Sequence, residues 1–302
     1  MIVIGGATAT GKTTLGIEVA KKLRGEIISA DSMQIYKHMN VGTAKPTEEE
    51  MCGIPHHMID IVEPNEPFSV AEFKIKAEKI IEEIKERGNT PIVVGGTGLY
   101  INSLIYNYSP AETNEGLRKE LREECEKYGP ERMYNKLSII DEKAAKAIHP
   151  NNVKRVLRAL EVMLLTGKSI ADKNDKEFTV PNLTYICDCD RSVLYDRINE
   201  RVDVMFDKGL PEEVDDLLKR QLVSFSDQSM QAIGYKEFKS LYNGEKQLDE
   251  VKSDIKQHTR NYAKRQISWF RGIEAGIWVK YDEIEQNTKR ITDDYYKYFC
   301  KL

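Results

Sequence analysis

A chain of 302 residues with 40% hydrophobic and 31% charged residues has the size and composition of an ordinary soluble globular protein, one large α/β domain or a core domain carrying an insertion. No apolar run approaches the roughly 20 residues that span a bilayer, and the start of the chain lacks the basic segment and small-residue cleavage site of a signal peptide, so a cytoplasmic protein is expected. The net charge of −4 argues, on the sum alone, against a nucleic-acid partner.

In chain order, 2–4, a Gly-rich loop and 13–23 read as strand, phosphate loop and helix. Residues 26–30 are a second short apolar strand ending at Asp31. Helical apolar spacing over 70–87 stops at Gly88. The continuous apolar run at 90–94 reads as a third strand, buried on both faces, ending in Gly95-Gly96. Strands alternating with helices argue for an α/β fold, a parallel sheet flanked by helices. From 115 to 167 the pattern is nearly all helical, with breaks at Tyr128-Gly129-Pro130 and His149-Pro150. This predicts an all-helical insertion at 113–180 between core segments 1–112 and 181–302. Residues 184–187 return to strand, and 192–208 and 211–220 are predicted helices. Helices are expected to continue to the C-terminus, with Trp269 and Trp278 near the last core contacts.

Gly6-Ala7-Thr8-Ala9-Thr10-Gly11-Lys12-Thr13 fits G-x-x-x-x-G-K-[ST] between a strand and a helix. The glycines let backbone N–H groups face an anion, Lys12 adds a point charge, and the Thr13 hydroxyl can ligate magnesium. The loop implies binding of a di- or triphosphate, a nucleotide such as ATP included, with Mg²⁺. The second strand delivers Asp31 to the same sheet edge, where a general base, a magnesium ligand and a helix N-cap are all open readings. Gly95-Gly96-Thr97-Gly98 permits close backbone approach and offers the Thr97 hydroxyl toward the phosphate site, or is a plain strand–helix turn.

The five cysteines, Cys52, Cys125, Cys187, Cys189 and Cys300, are odd in number and scattered, and read as reduced thiols. His56-His57 lack partners at ligand spacing and read as structural or substrate-channel residues. Charge is unevenly spread. Over 254–271, Lys256, Arg260, Lys264, Arg265 and Arg271 stand against one Asp, and Lys154, Arg155 and Arg158 form a second basic cluster. Acidic stretches at 48–50, 82–86 and 120–126 hide these patches in the total.

The phosphate loop, Asp31-Ser32-Met33-Gln34-Ile35-Tyr36 and Gly42-Thr43-Ala44-Lys45-Pro46 together resemble the tRNA dimethylallyltransferases. So do Pro55-His56-His57, the 94–100 block, His149-Pro150-Asn151-Asn152 with Arg155 and Arg158 to Glu161, Ile233-Gly234-Tyr235, and Lys264 to Arg271. The blocks run in family order over nearly the whole chain, which ends without the zinc finger of eukaryotic members and so fits the bacterial form. Ala7 departs from the usual Pro and should leave the loop's backbone geometry intact.

The resemblance implies a P-loop NTPase-like fold and a prenyltransferase, and a monomer is expected. It would move a dimethylallyl group from dimethylallyl diphosphate to the 6-amino group of the adenosine 3′ of the anticodon in tRNA. Asp31 would be the base, Thr97 would help hold the adenine, and Lys12 and Arg201 would engage the diphosphate, a solvated helix-face charge being the alternative for Arg201. The implied tRNA contacts are Asp31, Ser32, Met33, Gln34, Thr97, Arg118, Lys154, Arg155, Val156, Leu157, Arg158, Gln231, Ala232, Ile233, Gly234, Tyr235 and Lys236. The run Lys264, Arg265, Gln266, Ile267, Ser268, Trp269, Phe270 and Arg271 completes them. Rival classes are a small-molecule or nucleoside kinase and a GTPase-like switch, the latter lacking D-x-x-G and N-K-x-D motifs.

Overall fold

The computed structural model describes residues 1–106, 114–172 and 181–300. The elements run β1 (Ile2–Gly6), α1 (Lys12–Leu23), β2 (Gly25–Ser29), α2 (Glu48–Met51), β3 (His56–His57), α3 (Val70–Glu86), β4 (Thr90–Gly95) and α4 (Gly98–Ile105). Then come α5 (Glu115–Tyr128), α6 (Pro130–Ile140), α7 (Glu142–Ala147) and α8 (Val153–Thr166). The chain closes with β5 (Leu183–Asp188), α9 (Arg191–Asp207), α10 (Leu210–Lys219), α11 (Phe238–Tyr242), α12 (Leu248–Phe270), β6 (Ile277–Lys280) and α13 (Ile284–Phe299). Two compact units result, Met1–Tyr106 with Phe178–Leu302, and Asn107–Glu177. The boundaries expected at 112–113 and at 180 fall outside the described residues.

The first unit carries a six-stranded sheet in the order β3-β2-β4-β1-β5-β6, parallel at every pairing. Side chains of a strand alternate between faces, and here the alternation separates two cores. Val3, Ile28 and Val93 enter one cluster, with Phe73 and Ile84 of α3, Ile101 of α4 and Phe270 of α12. Ile2, Ile4, Ile27, Ile92 and Val94 enter the other, with Leu15 and Val19 of α1 and Ile291 of α13. Helices therefore cover both faces, as strands with continuous apolar runs require.

Two of the strands escape sequence reading. β3 is two histidines long and β6 four residues, and both lie at sheet edges, where short and polar strands are tolerated. The expectation of unbroken helix to the C-terminus is therefore corrected by β6. Trp269 and Trp278, expected near the last core contacts, are 45% and 37% exposed, Trp269 in the last turn of α12 beside core Phe270 and Trp278 on the edge strand β6.

The second unit is built from α5 to α8. Its core contains Leu121, Met133, Leu137, Ile148, Val156 and Leu160. Gly129 at φ 86 ends α5 and Pro130 starts α6 at the position where a missing N–H costs least. Asp141 caps α7 by accepting from the Ala144 N–H at 2.9 Å, and Asn152 caps α8 through the Arg155 N–H at 3.3 Å.

Candidate active site

In a parallel sheet all strands end on one side, and here three of those ends meet. β1 runs into the phosphate loop, β2 into Asp31, and β4 into Thr97. The Ala30 N–H donates to Val94 O at 2.8 Å and the Thr97 N–H to Ala30 O at 3.0 Å, so the second and third ends are tied backbone to backbone. That approach needs Gly95, where a Cβ would lie 2.2 Å from Ala30 O. Gly98 is similarly required, since a Cβ there would come within 2.1 Å of the Trp269 ring.

A cavity of about 330 Å³ opens at this edge. Thr8, Lys12 and Thr13 line one part of it, Asp31 to Gln34 and Gly42 to Ala44 another, and Arg201, the 231–234 turn with Lys236, and Tyr262, Arg265 and Gln266 the rest. Gly11 at φ 75 and Ala9 at φ 63 curl the phosphate loop. Ala7 O accepts from the Thr10 hydroxyl at 2.7 Å and from Lys12 Nζ at 3.1 Å, so the alanine at this position keeps the loop closed.

Burial, followed by the neighbouring Arg201 charge, pushes the Lys12 pKa down to about 8, against the pull of Asp31. Arg201 is likewise lowered by burial and held up by Asp31. It lines the cavity and is not a solvated helix-face charge. The two cations and the Asp31 carboxylate thus share one electrostatic site. Asp31 Oδ1 accepts from the Met33 N–H at 2.9 Å, an Asx-turn, and no helix follows it, which removes the N-cap reading. Thr97 Oγ1 accepts from the Ser32 N–H at 3.0 Å, so its hydroxyl braces the Asp31 turn, whereas sequence reading aims it at the phosphate site.

Three side chains hold this arrangement: Gln266, which the resemblance implied as a tRNA contact, and Arg197 and Tyr262, which sequence reasoning missed. Gln266, itself buried, accepts from the Thr8 N–H at 2.9 Å and donates to Gly96 O at 2.9 Å, bolting the phosphate loop to the end of β4. Arg197 donates from Nε to Ala9 O at 2.7 Å and stacks on Tyr281, 4.9 Å from the ring centroid. Tyr262, pushed up to about 12 chiefly by burial and next by Asp31, forms part of the cavity wall. Each is remote in sequence from its partner, and a polar residue on a helix gives no sign of which loop it will meet.

Residues 34–273 match the family described as IPP transferase. The chain belongs to that family. This IPP transferase is 52% identical over 297 residues to the tRNA dimethylallyltransferase of Acetivibrio thermocellus, covering 96% of this chain and 95% of that one. It is 47% identical over 302 residues to the tRNA dimethylallyltransferase of Caldanaerobacter subterraneus subsp. tengcongensis, covering 95% of each. Among solved structures it resembles the tRNA delta(2)-isopentenylpyrophosphate transferase of Staphylococcus epidermidis, with a TM-score of 0.73 and 44% identity over 98% of both chains. It also resembles a eukaryotic dimethylallyltransferase acting on tRNA, with a TM-score of 0.81 and 29% identity over 98% of this chain and 77% of the other.

The blocks implied to touch RNA in this transferase contain both surface and core. Lys154, Arg155, Lys264, Arg265, Ser268 and Arg271 are exposed. Arg118 bonds Glu115 at 2.7 Å and Glu161 at 2.9 Å, and Arg158 bonds Glu161 at 2.6 Å. Burial would raise the Glu161 pKa, but Arg158, the Asn114 N–H and Arg118 outweigh it and leave it lowered. Val156, Tyr235 and Phe270 are core side chains, and Leu157 and Ile267 are partly buried against apolar clusters. Buried as they are, the first three shape their segments and present no side chain to RNA. Within the basic stretch of α12, Lys256 pairs with Asp203 at 2.7 Å and Arg260 donates to Asn199 at 2.5 Å. All five cysteines are free thiols, and burial raises that of Cys187 to about 12. Of the paired histidines, His57 bonds Glu26 at 2.6 Å, a structural role on β3. No helix among the described residues is long and apolar enough to cross a membrane.

Proposed function

We propose that this enzyme transfers the dimethylallyl group of dimethylallyl diphosphate to the exocyclic 6-amino group of the adenosine immediately 3′ of the anticodon in tRNA. The observation that carries the reading is one cavity in which a phosphate loop, a half-buried arginine and a strand-end carboxylate converge. The relatives' names supply the substrate class. In the reaction the bond between the isoprenoid carbon and its diphosphate oxygen breaks, a carbon–nitrogen bond forms, and the amine proton passes to Asp31. Lys12 and Arg201 stabilise the charge gathering on the departing diphosphate. The exocyclic amine of adenine is a poor nucleophile because its lone pair is delocalised into the ring, so a base beside the phosphate site that takes its N–H proton has a defined task.

Magnesium fits this donor set. Thr13 offers a hydroxyl in the cavity, a hard oxygen donor. Among the described residues no three His, Cys, Asp or Glu side chains gather to hold a metal by themselves. An ion here would therefore complete its shell from diphosphate oxygens and water, the usual habit of magnesium. When bound, it would add Lewis-acid stabilisation of the leaving group.

An adenine in a stacked loop has to be extruded to reach a cavity. Exposed Lys264, Arg265 and Arg271, the 231–236 turn, and the helical unit through Lys154 and Arg155 are proposed to hold the anticodon stem-loop. A tRNA acceptor implies work in the cytoplasm. One chain carries every group named, so a monomer suffices. Incubation with tRNA and either labelled dimethylallyl diphosphate or labelled ATP tests the reading. Label is expected in tRNA from the first donor only. Phosphoryl transfer from ATP to any acceptor, without prenyl transfer, would make the protein a kinase.

A further inference from the structure

Glu213, in the first turn of α10, aims both carboxylate oxygens at one loop. Oε2 accepts from the Asn40 N–H at 2.7 Å and from the Val41 N–H at 2.7 Å. Oε1 accepts from the Gly42 N–H at 3.1 Å and from the Tyr235 hydroxyl at 2.6 Å. A carboxylate has about four acceptor sites, and four donors fill them. Tyr235 is 0% exposed, and its ring lies so close to Gly42 that a Cβ there would come within 2.5 Å. Burial, followed by the Glu213 charge, raises the Tyr235 pKa well above that of an ordinary phenol, so it remains a donor.

The two segments joined in this way are separate walls of the cavity. Gly42 to Ala44 form one, and the turn ending in Gly234 forms the other. The loop also transmits its position inward. Gln34 Nε2 donates to Thr43 O at 3.4 Å and to Ala44 O at 3.3 Å, while its Oε1 accepts from the Ser29 hydroxyl at 3.0 Å. Gln34 is three residues from Asp31. None of these hydrogen bonds involves the phosphate loop, so the network belongs to the side of the cavity that the diphosphate leaves free.

We propose that Glu213 and Tyr235 are positioning residues that fasten the 40–44 loop to the 231–236 turn and set the entrance for the acceptor base. This rests on the transfer function proposed above. They act on acceptor affinity, because they touch neither Lys12 nor Arg201 and reach Asp31 only through Gln34. A glutamine at 213 has the same shape but carries an NH₂ on one side. Whichever way the amide is turned, that group faces two donors, and the N–H or hydroxyl groups there lose their acceptor.

The test uses full-length Glu213→Gln and Tyr235→Phe enzymes, singly and combined. KM for tRNA, KM for dimethylallyl diphosphate and kcat are measured, together with hydrogen exchange of the 40–44 amides. Glu213→Gln is expected to raise KM for tRNA by roughly tenfold, and Tyr235→Phe by a few-fold, the scale of one or two lost hydrogen bonds to a charged group. KM for the diphosphate and kcat at saturating tRNA should stay within about twofold. The double variant should be no worse than Glu213→Gln, because both changes open the same node. Exchange at 40–42 should accelerate in Glu213→Gln. Equal loss for both substrates, a fall in kcat at unchanged KM for tRNA, or additive effects would overturn the proposal. Tyr235→Phe, which removes a single oxygen, carries the test should Glu213→Gln fail to fold. Absence of transfer by the unaltered enzyme would instead overturn the proposed function. The exchange measurement would still judge the latch, and unchanged exchange at 40–42 would end it.

Discussion

Lys12 holds its charge only up to mildly alkaline pH in the free enzyme. Burial and the adjacent Arg201 lower its pKa to about 8, and a bound diphosphate would raise it again by favouring the ammonium. Linkage then fixes the sign. Affinity for diphosphate should be full below pH 8 and fall as pH rises through it, with a proton taken up on binding in that range. Calorimetric titration in buffers of different ionisation heat measures that proton, and Lys12→Ala should abolish it. An affinity independent of pH through this window would mean that Lys12 does not meet the ligand. Asp31 is the second residue on which the proposed chemistry turns. Asn at this position can still accept from the Met33 N–H, so Asp31→Asn should keep the turn and lose only the base. Single-turnover transfer should slow by about 10² to 10⁴, with tRNA affinity largely spared. A near-normal rate in Asp31→Asn would assign proton removal elsewhere.

At the scale of elements, α12 has two occupations. Its inner side supplies Gln266 to the phosphate loop and Phe270 to the core, while Lys264, Arg265 and Arg271 face solvent. Lys256 and Arg260 are engaged by α9, so they are not available to RNA as the exposed members of the stripe are. Lys264→Ala with Arg271→Ala should weaken tRNA binding and flatten its salt dependence by about 0.7 to 0.9 log–log units for every phosphate released. Binding of dimethylallyl diphosphate should barely change. An unaltered slope in the folded double variant would mark the stripe as a solvated face. The phosphate loop, the Gly95–Gly98 turn and α12 itself were legible because glycine spacing and apolar periodicity are local signals. The loop contacts of Gln266 and Arg197 were not, since their partners lie across the fold; Gln266 itself was read only as an implied tRNA contact. β3 and β6 were too short, and too polar or edge-placed, to leave an alternation that can be read.

Across the whole molecule, the parallel sheet is what brings residues 12, 31 and 97 together, and its parallel character followed from strands alternating with helices. The stability of one edge of that sheet gathers on a buried carboxylate. Glu26 bonds Arg87 at 2.7 and 3.0 Å, Asn89 at 2.8 Å and His57 at 2.6 Å. Chiefly through Arg87, and against its burial, its pKa falls from 4.5 to about 2. A depressed acid contributes stability above its unfolded pKa and loses it as pH falls through the folded one, here between 4.5 and about 2. That shift corresponds to about 3 kcal/mol. Urea unfolding of Glu26→Gln should therefore show lower stability at neutral pH and a shallower acid limb, and an acid limb identical to that of the unaltered protein would deny Glu26 this role.

In the proposed reaction one cavity, with a phosphate loop at one side and Asp31 at the other, prenylates a tRNA adenosine. Mass spectrometry of nucleosides from tRNA incubated with the enzyme, magnesium and dimethylallyl diphosphate tests it most directly. Adenosine carrying one dimethylallyl group on its 6-amino nitrogen is expected, confined to the position 3′ of the anticodon and absent with Asp31→Asn. Unmodified nucleosides from a folded, substrate-competent enzyme, or a product whose yield is indifferent to Asp31, would contradict it.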